Sequence, residues 1–261
     1  MPSDATTEIP ASTPVAAPYE LDAGPGRHRI GLICLASDYA TERDFINMRP
    51  SDQVTVFTSR VRNVNPVTVE NLRTMTPRLE EAAGLIVPDG RLDAIAYSCT
   101  SATVAIGYEA VAEVIRRARP GIPVITPITA AVAGLEALGC RRIAVLTPYL
   151  DEVNGPMRRC LEDHGQEVVG FTSFGIADDN DMARLAPETI YQAALEADRA
   201  EAEALFISCT AIRAAEVAAR LEAALGKPVV TSIQAMYWQA LRAAGYQEPV
   251  TGYGQLLERA A

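Results

Sequence analysis

Two cysteines stand in nearly the same sequence context, and both could act as a nucleophile or a base. Cys99 lies in AIAYSCTSA, and Cys209 lies in ALFISCTAI about 110 residues later. Each Ser-Cys-Thr follows a short apolar run typical of a buried strand and precedes an Ala-rich segment typical of a helix. A thiolate is a strong nucleophile, and a helix N-terminus favours this ionised form. We therefore predict that Cys99 and Cys209 face each other across one site.

The hydroxyl residues beside these cysteines predict an anion-binding element. Thr100, Ser101 and Thr210 are expected at helix N-termini, where free backbone N–H groups, hydroxyls and the helix dipole favour a carboxylate. In open α/β sheets, ligands bind at this carboxyl edge of the strands. One turn, used twice, would therefore supply both a thiol and donors for a carboxylate.

The elements that position these turns alternate along the chain between short β-branched runs and amphipathic helical stretches. This alternation predicts βαβ units and parallel sheets with helices on both faces. The predicted strands are Ile30–Ala36, Val54–Ser59, Ala94–Ser98, Val124–Thr126, Ile143–Thr147, Val168–Phe174, Ala204–Ser208 and Val229–Thr231.

Three blocks of sequence recur in the same order, which indicates an internal duplication. DAIAYSCTSA matches EALFISCTAI, PVITPITAAVAGLEALG matches PVVTSIQAMYWQALRAAG, and RRIAVLTPY resembles HRIGLICLAS. We predict an α/β fold of two pseudo-symmetric Rossmann-like halves, each with a four-stranded parallel sheet, and an active site between them. The halves would span residues 28–139 and 140–261, with the last helix packing on the first half. The Pro-, Ala- and Thr-rich residues 1–27 are expected to form a disordered tail.

Composition excludes several classes of partner. The 261 residues carry a formal net charge of −10 at pH 7, which disfavours nucleic acid and anionic membranes as partners. No apolar run approaches the roughly 20 residues that span a bilayer, and the N-terminal segment lacks the features of a signal peptide. We therefore expect a cytoplasmic protein with reduced thiols and no membrane partner.

The remaining cysteines and acidic residues predict neither a metal site nor a cofactor site. Cys34, Cys140 and Cys160 lie outside the Ser-Cys-Thr context, and the absence of CxxC pairs with nearby histidines disfavours zinc. The acidic run Asp178–Asp181 lacks EF-hand spacing and is interpreted as a solvated loop. No dinucleotide-binding, phosphate-binding or nucleophile-elbow motif is present, so we predict no metal and no cofactor.

Paired strand-end cysteines in a duplicated α/β chain resemble the aspartate/glutamate racemase superfamily. The segments Ala36–Phe45, Tyr97–Ala102, Val145–Tyr149 and Phe206–Arg213 resemble the maleate cis–trans isomerase and arylmalonate decarboxylase group, and most of all its ectoine utilization branch. The resemblance extends over most of the chain. It implies a cofactor-independent isomerase or racemase acting on a small carboxylate.

The resemblance also implies roles for individual residues. Cys99 and Cys209 match the two catalytic cysteines of the group. Tyr149 matches a tyrosine whose hydroxyl binds a substrate carboxylate. The other substrate-binding residues implied in this way are Thr100, Ser101, Asn180 and Thr210.

Asp38 departs from the pattern of the group. Maleate isomerases usually have an asparagine after the first strand, where this chain has Asp38. A carboxylate there would repel a dicarboxylate unless it is protonated or binds an amino group. Asp38 is therefore predicted to be a substrate-binding residue, and an amino-acid-like substrate is favoured over maleate.

Three functions remain open at this stage. The first is a two-cysteine isomerase or racemase, which we expect to be a homodimer. For this function the resemblance implies a role in ectoine degradation. The second is a decarboxylase like the arylmalonate decarboxylases, although these typically keep only the second cysteine. The third is a non-catalytic small-molecule-binding protein that uses the anion-binding residues but not the thiols.

Overall fold

Two parallel sheets, each of four strands and flanked by helices, make up the fold. The computed structural model describes residues 12–259. The strands are β1 (His28–Leu35), β2 (Val54–Val61), β3 (Ala94–Tyr97), β4 (Val124–Ile125), β5 (Arg142–Thr147), β6 (Glu167–Ser173), β7 (Ala204–Ile207) and β8 (Val229–Thr231). Their orders, β2-β1-β3-β4 and β6-β5-β7-β8, are equivalent. The predicted fold class is confirmed, and each predicted strand overlaps an observed one.

The helices connect the strands and cover both faces of the sheets. They are α1 (Thr41–Asn47), α2 (Val69–Arg73), α3 (Thr76–Gly84), α4 (Thr100–Ile106), α5 (Tyr108–Ala118), α6 (Pro127–Leu138), α7 (Asp151–Asp163), α8 (Asp179–Ala183), α9 (Pro187–Ala197), α10 (Ala218–Leu225), α11 (Ser232–Ala243) and α12 (Gln255–Glu258). A single 3₁₀ turn, Ala215–Val217, precedes α10. None of the helices between residues 12 and 259 has the length and apolar character needed to cross a membrane.

The Ser-Cys-Thr turns emerge from the interior of the two sheets. β3 and β7 are buried along their whole length, because each pairs with a strand on both sides and is covered by helices on both faces. This environment explains their continuous apolar sequences, AIAY and ALFI. Cys99 and Cys209 follow two residues after these strands, so both stand at the carboxyl edge of their sheet.

The two halves meet through α6 and α11, which pack against each other. α11 also contacts β1, β3 and β4, whereas α6 contacts β8, so each of these helices touches the sheet of the other half. The last helix, α12, also packs on α6. The contact is close at Gly134 of α6, where an added Cβ atom would lie 2.8 Å from Cδ2 of Leu256 in α12.

The predicted tail falls partly outside the described residues. Residues 1–11 are not described, and residues 12–27 form neither helix nor strand. The predicted division after Gly139 falls between α6 and β5, where Gly139 adopts a left-handed conformation that ends α6 (φ 74°). The division into two halves at that residue stays a prediction.

Candidate active site

Residues from both halves enclose one cavity at the carboxyl ends of the strands. The empty space of the cavity, including the solvent-filled part at its mouth, is about 460 Å³. Every predicted site residue except Asn180 lines this cavity. The polar and sulfur-containing lining residues are Asp38, Asn63, Asn71, Met75, Cys99, Thr100, Ser101, Tyr149, Asp179, Cys209 and Thr210.

Cys99 stands at the N-terminus of α4, as the sequence predicts. Its sulfur accepts a hydrogen bond from the backbone N–H of Ala102 (3.4 Å) and lies 3.7 Å from Oγ of Ser101. As the first residues of α4, Thr100 and Ser101 have backbone N–H groups without an intrahelical acceptor. The first Ser-Cys-Thr turn therefore retains donors that a bound carboxylate can use.

The second turn differs from the first, and the prediction that Thr210 lies at a helix N-terminus is wrong. The chain after Cys209 runs as an irregular loop, and helical structure resumes only at Ala215. The cause is local: Cys209 has a positive φ of 97°, which turns the backbone away from the helical path. Such a conformation is strained for a residue with a side chain and is typical of functional sites.

Ser232, the first residue of α11, holds both turns together. Its Oγ accepts a hydrogen bond from the backbone N–H of Cys209 (3.1 Å) and from Oγ1 of Thr100 (3.0 Å). Oγ1 of Thr210 in turn donates to the backbone carbonyl of Ser98 (3.2 Å). The two threonine hydroxyls thus join the halves instead of pointing their hydrogens into the cavity. Carboxylate binding at these residues would depend on the backbone N–H groups.

Replacing Ser232 with alanine is expected to destabilise the protein by about 1–3 kcal/mol. The change leaves the buried N–H of Cys209 without its acceptor, at a position whose backbone is already strained. Urea unfolding should show a lower midpoint for Ser232→Ala, while Ser51→Ala, at an exposed serine, should unfold like the wild type. An unchanged midpoint for Ser232→Ala would show that Ser232 does not hold the turn.

Both cavity thiols are protonated at neutral pH, which corrects the expectation that the helix dipole favours thiolates. The pKa of Cys99 and of Cys209 is raised to about 12, mainly by burial and in part by the carboxylate of Asp179. The N–H of Ala102 lowers the pKa of Cys99, and the Tyr149 hydroxyl lowers that of Cys209. These local donors do not outweigh the loss of solvent, because desolvation is the largest effect on the pKa of both thiols.

Asp38 lines the cavity but also organises its own loop. Oδ1 accepts hydrogen bonds from the backbone N–H groups of Ala40 and Thr41 (both 2.8 Å), and Oδ2 accepts one from Oγ1 of Thr41 (2.5 Å). The same threonine hydroxyl contacts Oγ of Ser98 (2.7 Å), next to Cys99. Burial raises the pKa of Asp38, and the hydrogen bonds from Thr41 oppose this rise.

Asn180 does not line the cavity, and its neighbour Asp179 takes that place. The amide of Asn180 donates to Oδ1 of Asp178 (3.0 Å), whereas Asp179 is only 5% exposed and faces Cys99 and Cys209. The solvated-loop interpretation of the acidic run is therefore wrong for Asp179. The sequence did contain a signal for this: the run follows the end of β6 by only a short segment, at the same edge of the sheet as the other site residues.

Tyr149 occupies the position in the cavity that the sequence predicts. It follows β5, is almost completely buried and lies near Cys209, whose pKa its hydroxyl lowers. Its backbone carbonyl accepts from Nδ2 of Asn154 (2.9 Å), which fixes the turn after the strand. Burial raises the pKa of Tyr149 far above its ordinary value, so its hydroxyl remains a hydrogen-bond donor at any physiological pH.

The cavity offers thiols, hydroxyls, amides and carboxylates to a ligand, but little metal-binding capacity. Over residues 12–259, no group of three or more histidine, cysteine, aspartate or glutamate side chains is arranged to hold a metal ion. All five cysteines are free. Cys34, Cys140 and Cys160 lie outside the cavity lining.

Comparison with known proteins relates this architecture to two kinds of enzyme. The chain is 33% identical to the arylmalonate decarboxylase of Bordetella bronchiseptica over 154 residues, which are 58% of this chain and 64%, less than two thirds, of that enzyme. It is 26% identical to the maleate isomerase of Nocardia farcinica over 90% of this chain and 97% of that enzyme. The crystal structure of the maleate isomerase Iso from Pseudomonas putida S16 superposes with a TM-score of 0.81 at 26% identity, covering 89% of this chain and 99% of that one.

A family model gives the assignment. The model described as arylmalonate decarboxylase, Amdase, matches residues 51–257. This range contains both Ser-Cys-Thr turns, Tyr149 and Asp179, and it covers most of the two sheets. With the fold and the full-length similarity to maleate isomerases, the match shows that the chain belongs to the Amdase family, which includes arylmalonate decarboxylases and is related to maleate isomerases.

Proposed function

We propose that this protein is a cofactor-independent isomerase or racemase in which Cys99 and Cys209 act on opposite faces of a small carboxylate. The observation that carries the proposal is the arrangement of the thiols. They come from equivalent strand ends of two equivalent sheets, yet they line one cavity. Cys99 is close enough to Cys209 to raise its pKa. A protein that only binds a ligand has no need of this pair.

In racemisation, the two thiols exchange roles across the substrate. One, as thiolate, removes the hydrogen on the α-carbon as a proton, and the electron pair of the C–H bond moves onto the substrate carboxylate. Backbone N–H groups at Thr100 and Ser101 stabilise the resulting enediolate. The opposite thiol then delivers its proton to the other face of the carbon, which leaves that sulfur as the thiolate.

In cis–trans isomerisation, one cysteine of the pair would act as the nucleophile, and the other would form no bond with the substrate. A thiolate adds to one carbon of an activated alkene, and the electron pair of the double bond moves onto the neighbouring carboxylate. The remaining single bond rotates, and elimination of the thiolate restores the double bond in the other geometry. The full-length similarity to maleate isomerases supports this variant.

Incubation of the protein with candidate substrates in D₂O, followed by NMR, tests the proposal. The panel contains maleate, aspartate, the amino acids of ectoine breakdown and phenylmalonate. Deuterium at an α-carbon with inversion of configuration indicates racemisation, and fumarate from maleate indicates addition and rotation. Wild-type protein should turn over one of these, and a Cys99→Ser, Cys209→Ser double variant should turn over none.

The same experiment identifies the rival functions. The similarity to arylmalonate decarboxylase favours decarboxylation as the second candidate. Carbon dioxide release from phenylmalonate that depends on Cys209 but not on Cys99 would replace the two-cysteine proposal. If calorimetry detects binding of panel compounds while none is turned over or labelled, the protein is a binding protein and the proposal fails.

A further inference from the structure

Asp179 is a buried carboxylate in the cavity whose hydrogen-bonding capacity is only half used. Oδ2 accepts hydrogen bonds from Oγ of Ser37 and from Nδ2 of Asn63 (3.4 Å). Oδ1 accepts no hydrogen bond from residues 12–259, although Asp179 is only 5% exposed. Because Ser37 and Asn63 hold one oxygen, the other is left to face the cavity that Asp179 lines.

Among residues 12–259, no positively charged side chain lines the cavity beside this carboxylate. The lining of the cavity in the described part of the chain contains no arginine, lysine or histidine, but it does contain a second carboxylate, Asp38. Asp38 and Asp178 both raise the pKa of Asp179, and burial raises it more. A buried carboxylate is stabilised by an opposite charge, so a ligand that brings a cation would fill the place that the protein leaves open.

We propose that Asp179 binds the protonated amino group of the substrate, so that the substrate class is α-amino acids and not dicarboxylates that lack an amino group. This inference rests on the proposed function and specifies its substrate. The free oxygen of Asp179 accepts a charge-assisted hydrogen bond from the ammonium group. Asp38 also lines the cavity and adds negative charge near Asp179, which favours a cation and repels a second carboxylate.

The position of Asp179 couples this binding to the chemistry. Burial is the main cause of the raised pKa of both thiols, and the Asp179 carboxylate adds to it, so both are kept protonated while the cavity is empty. An ammonium group on Oδ1 neutralises that charge and lowers both thiol pKa values in the bound state. Thiolate formation would therefore be more favourable when the correct substrate is present, and a dicarboxylate would have the opposite effect.

Three matched ligand pairs test the proposal by calorimetry. They are alanine and propionate, aspartate and succinate, and 2,4-diaminobutyrate and 4-aminobutyrate; the members of each pair differ only in the α-ammonium group. The wild type should bind the α-ammonium member of at least one pair ~10-fold or more tightly than its partner. Asp179→Asn should remove that preference. Asp178→Asn is the matched control and should retain it, because this change removes a neighbouring charge outside the cavity and keeps an N-cap residue for α8.

The pH dependence of binding separates two roles of Asp179. If Asp179 binds an ammonium group as a carboxylate, affinity rises as pH rises through its elevated pKa. If it instead donates as a protonated acid to a dicarboxylate, affinity falls over the same range. Asp38, Cys99, Cys209 and Tyr149 also line this cavity, and Asp178 adjoins Asp179 in the sequence, so the comparison of wild type with Asp179→Asn isolates the contribution of Asp179.

The outcomes are distinct for the inference and for the proposed function. Failure of every α-ammonium ligand to bind more tightly than its partner, or an equal preference in Asp179→Asn, overturns the inference. Turnover of a dicarboxylate through both cysteines under those conditions would leave the two-cysteine function intact. Loss of labelling and turnover with every substrate, despite binding, would contradict the two-cysteine function.

Discussion

Replacement of either Cys99 or Cys209 by serine is expected to lower turnover by ~10²–10⁴-fold, the usual contribution of a positioned acid or base. Both thiols line the same cavity, and each would serve one face of the substrate. Residues that act as one unit are not additive, so the double variant should lose little more than either single variant. Steady-state rates of racemisation measure these losses; in cis–trans isomerisation, only replacement of the nucleophilic cysteine should cause such a loss.

Deuterium labelling of the single variants gives a sharper result than the rates. In a two-base racemase, Cys209→Ser should still allow Cys99 to remove an α-proton from one enantiomer and return deuterium to the same face. Cys99→Ser should do the same with the other enantiomer. Exchange would then occur with retention of configuration, and inversion would be lost in both variants.

Cys160→Ser is the matched control for these two variants. Cys160 is half-buried on α7 and lies outside the cavity, so turnover should stay within ~2-fold of the wild type, the range expected for substitutions away from a functional feature. Near-normal inversion by either cavity-cysteine variant would contradict the two-base mechanism. Activity that survives only in Cys99→Ser would point to a single-cysteine reaction such as decarboxylation.

The parts of the site that repeat along the chain could be predicted from the sequence. AIAY and ALFI are apolar without alternation because β3 and β7 are buried on both faces, and this local property places Cys99 and Cys209 at strand ends. The duplication then implies that the two turns are equivalent. A single pair of turns thus predicts the fold class and the position of both thiols at one cavity.

The parts that depend on distant contacts could not be predicted in the same way. Asp179 looks like a member of a solvated acidic run, but its burial comes from Ser37 and Asn63, which lie 142 and 116 residues away in sequence. The positive φ of Cys209 has no signature in SCTAI, since SCTSA starts a regular helix. Identical tripeptides therefore adopt two conformations because their surroundings differ.

The ionisation of the thiols shows the same division between local and tertiary effects. A cysteine before a helix can be recognised in the sequence, and the lowering effect of the Ala102 N–H on Cys99 is the local contribution that this pattern predicts. Burial and the carboxylates of Asp38 and Asp179 are tertiary contributions with the opposite sign, and they dominate. The net direction follows only from the folded structure.

Alkylation of the empty cavity by iodoacetamide is expected to be slow and to accelerate steeply with pH. With pKa values of about 12 for Cys99 and Cys209, the thiolate fraction at pH 8 is roughly 10³-fold below that of an unperturbed thiol, whose pKa is about 8.5. The raised pKa means that the thiolate forms only as pH increases. The rate at each cysteine should therefore rise about tenfold per pH unit from pH 7 to pH 10 without a plateau, as followed by mass spectrometry of tryptic peptides.

Two comparisons decide whether ionisation, and not access alone, controls this rate. The same cysteines in urea-unfolded protein should react at the unperturbed rate and level off near pH 9. Asp179→Asn should accelerate both Cys99 and Cys209 in the folded protein, because it removes a negative charge that raises both pKa values, whereas Asp178→Asn should not. A plateau near pH 8 in the folded wild type would show instead that the α4 N-terminus and the Tyr149 hydroxyl stabilise thiolates in the empty cavity. In that case the substrate would not be needed to activate the thiols.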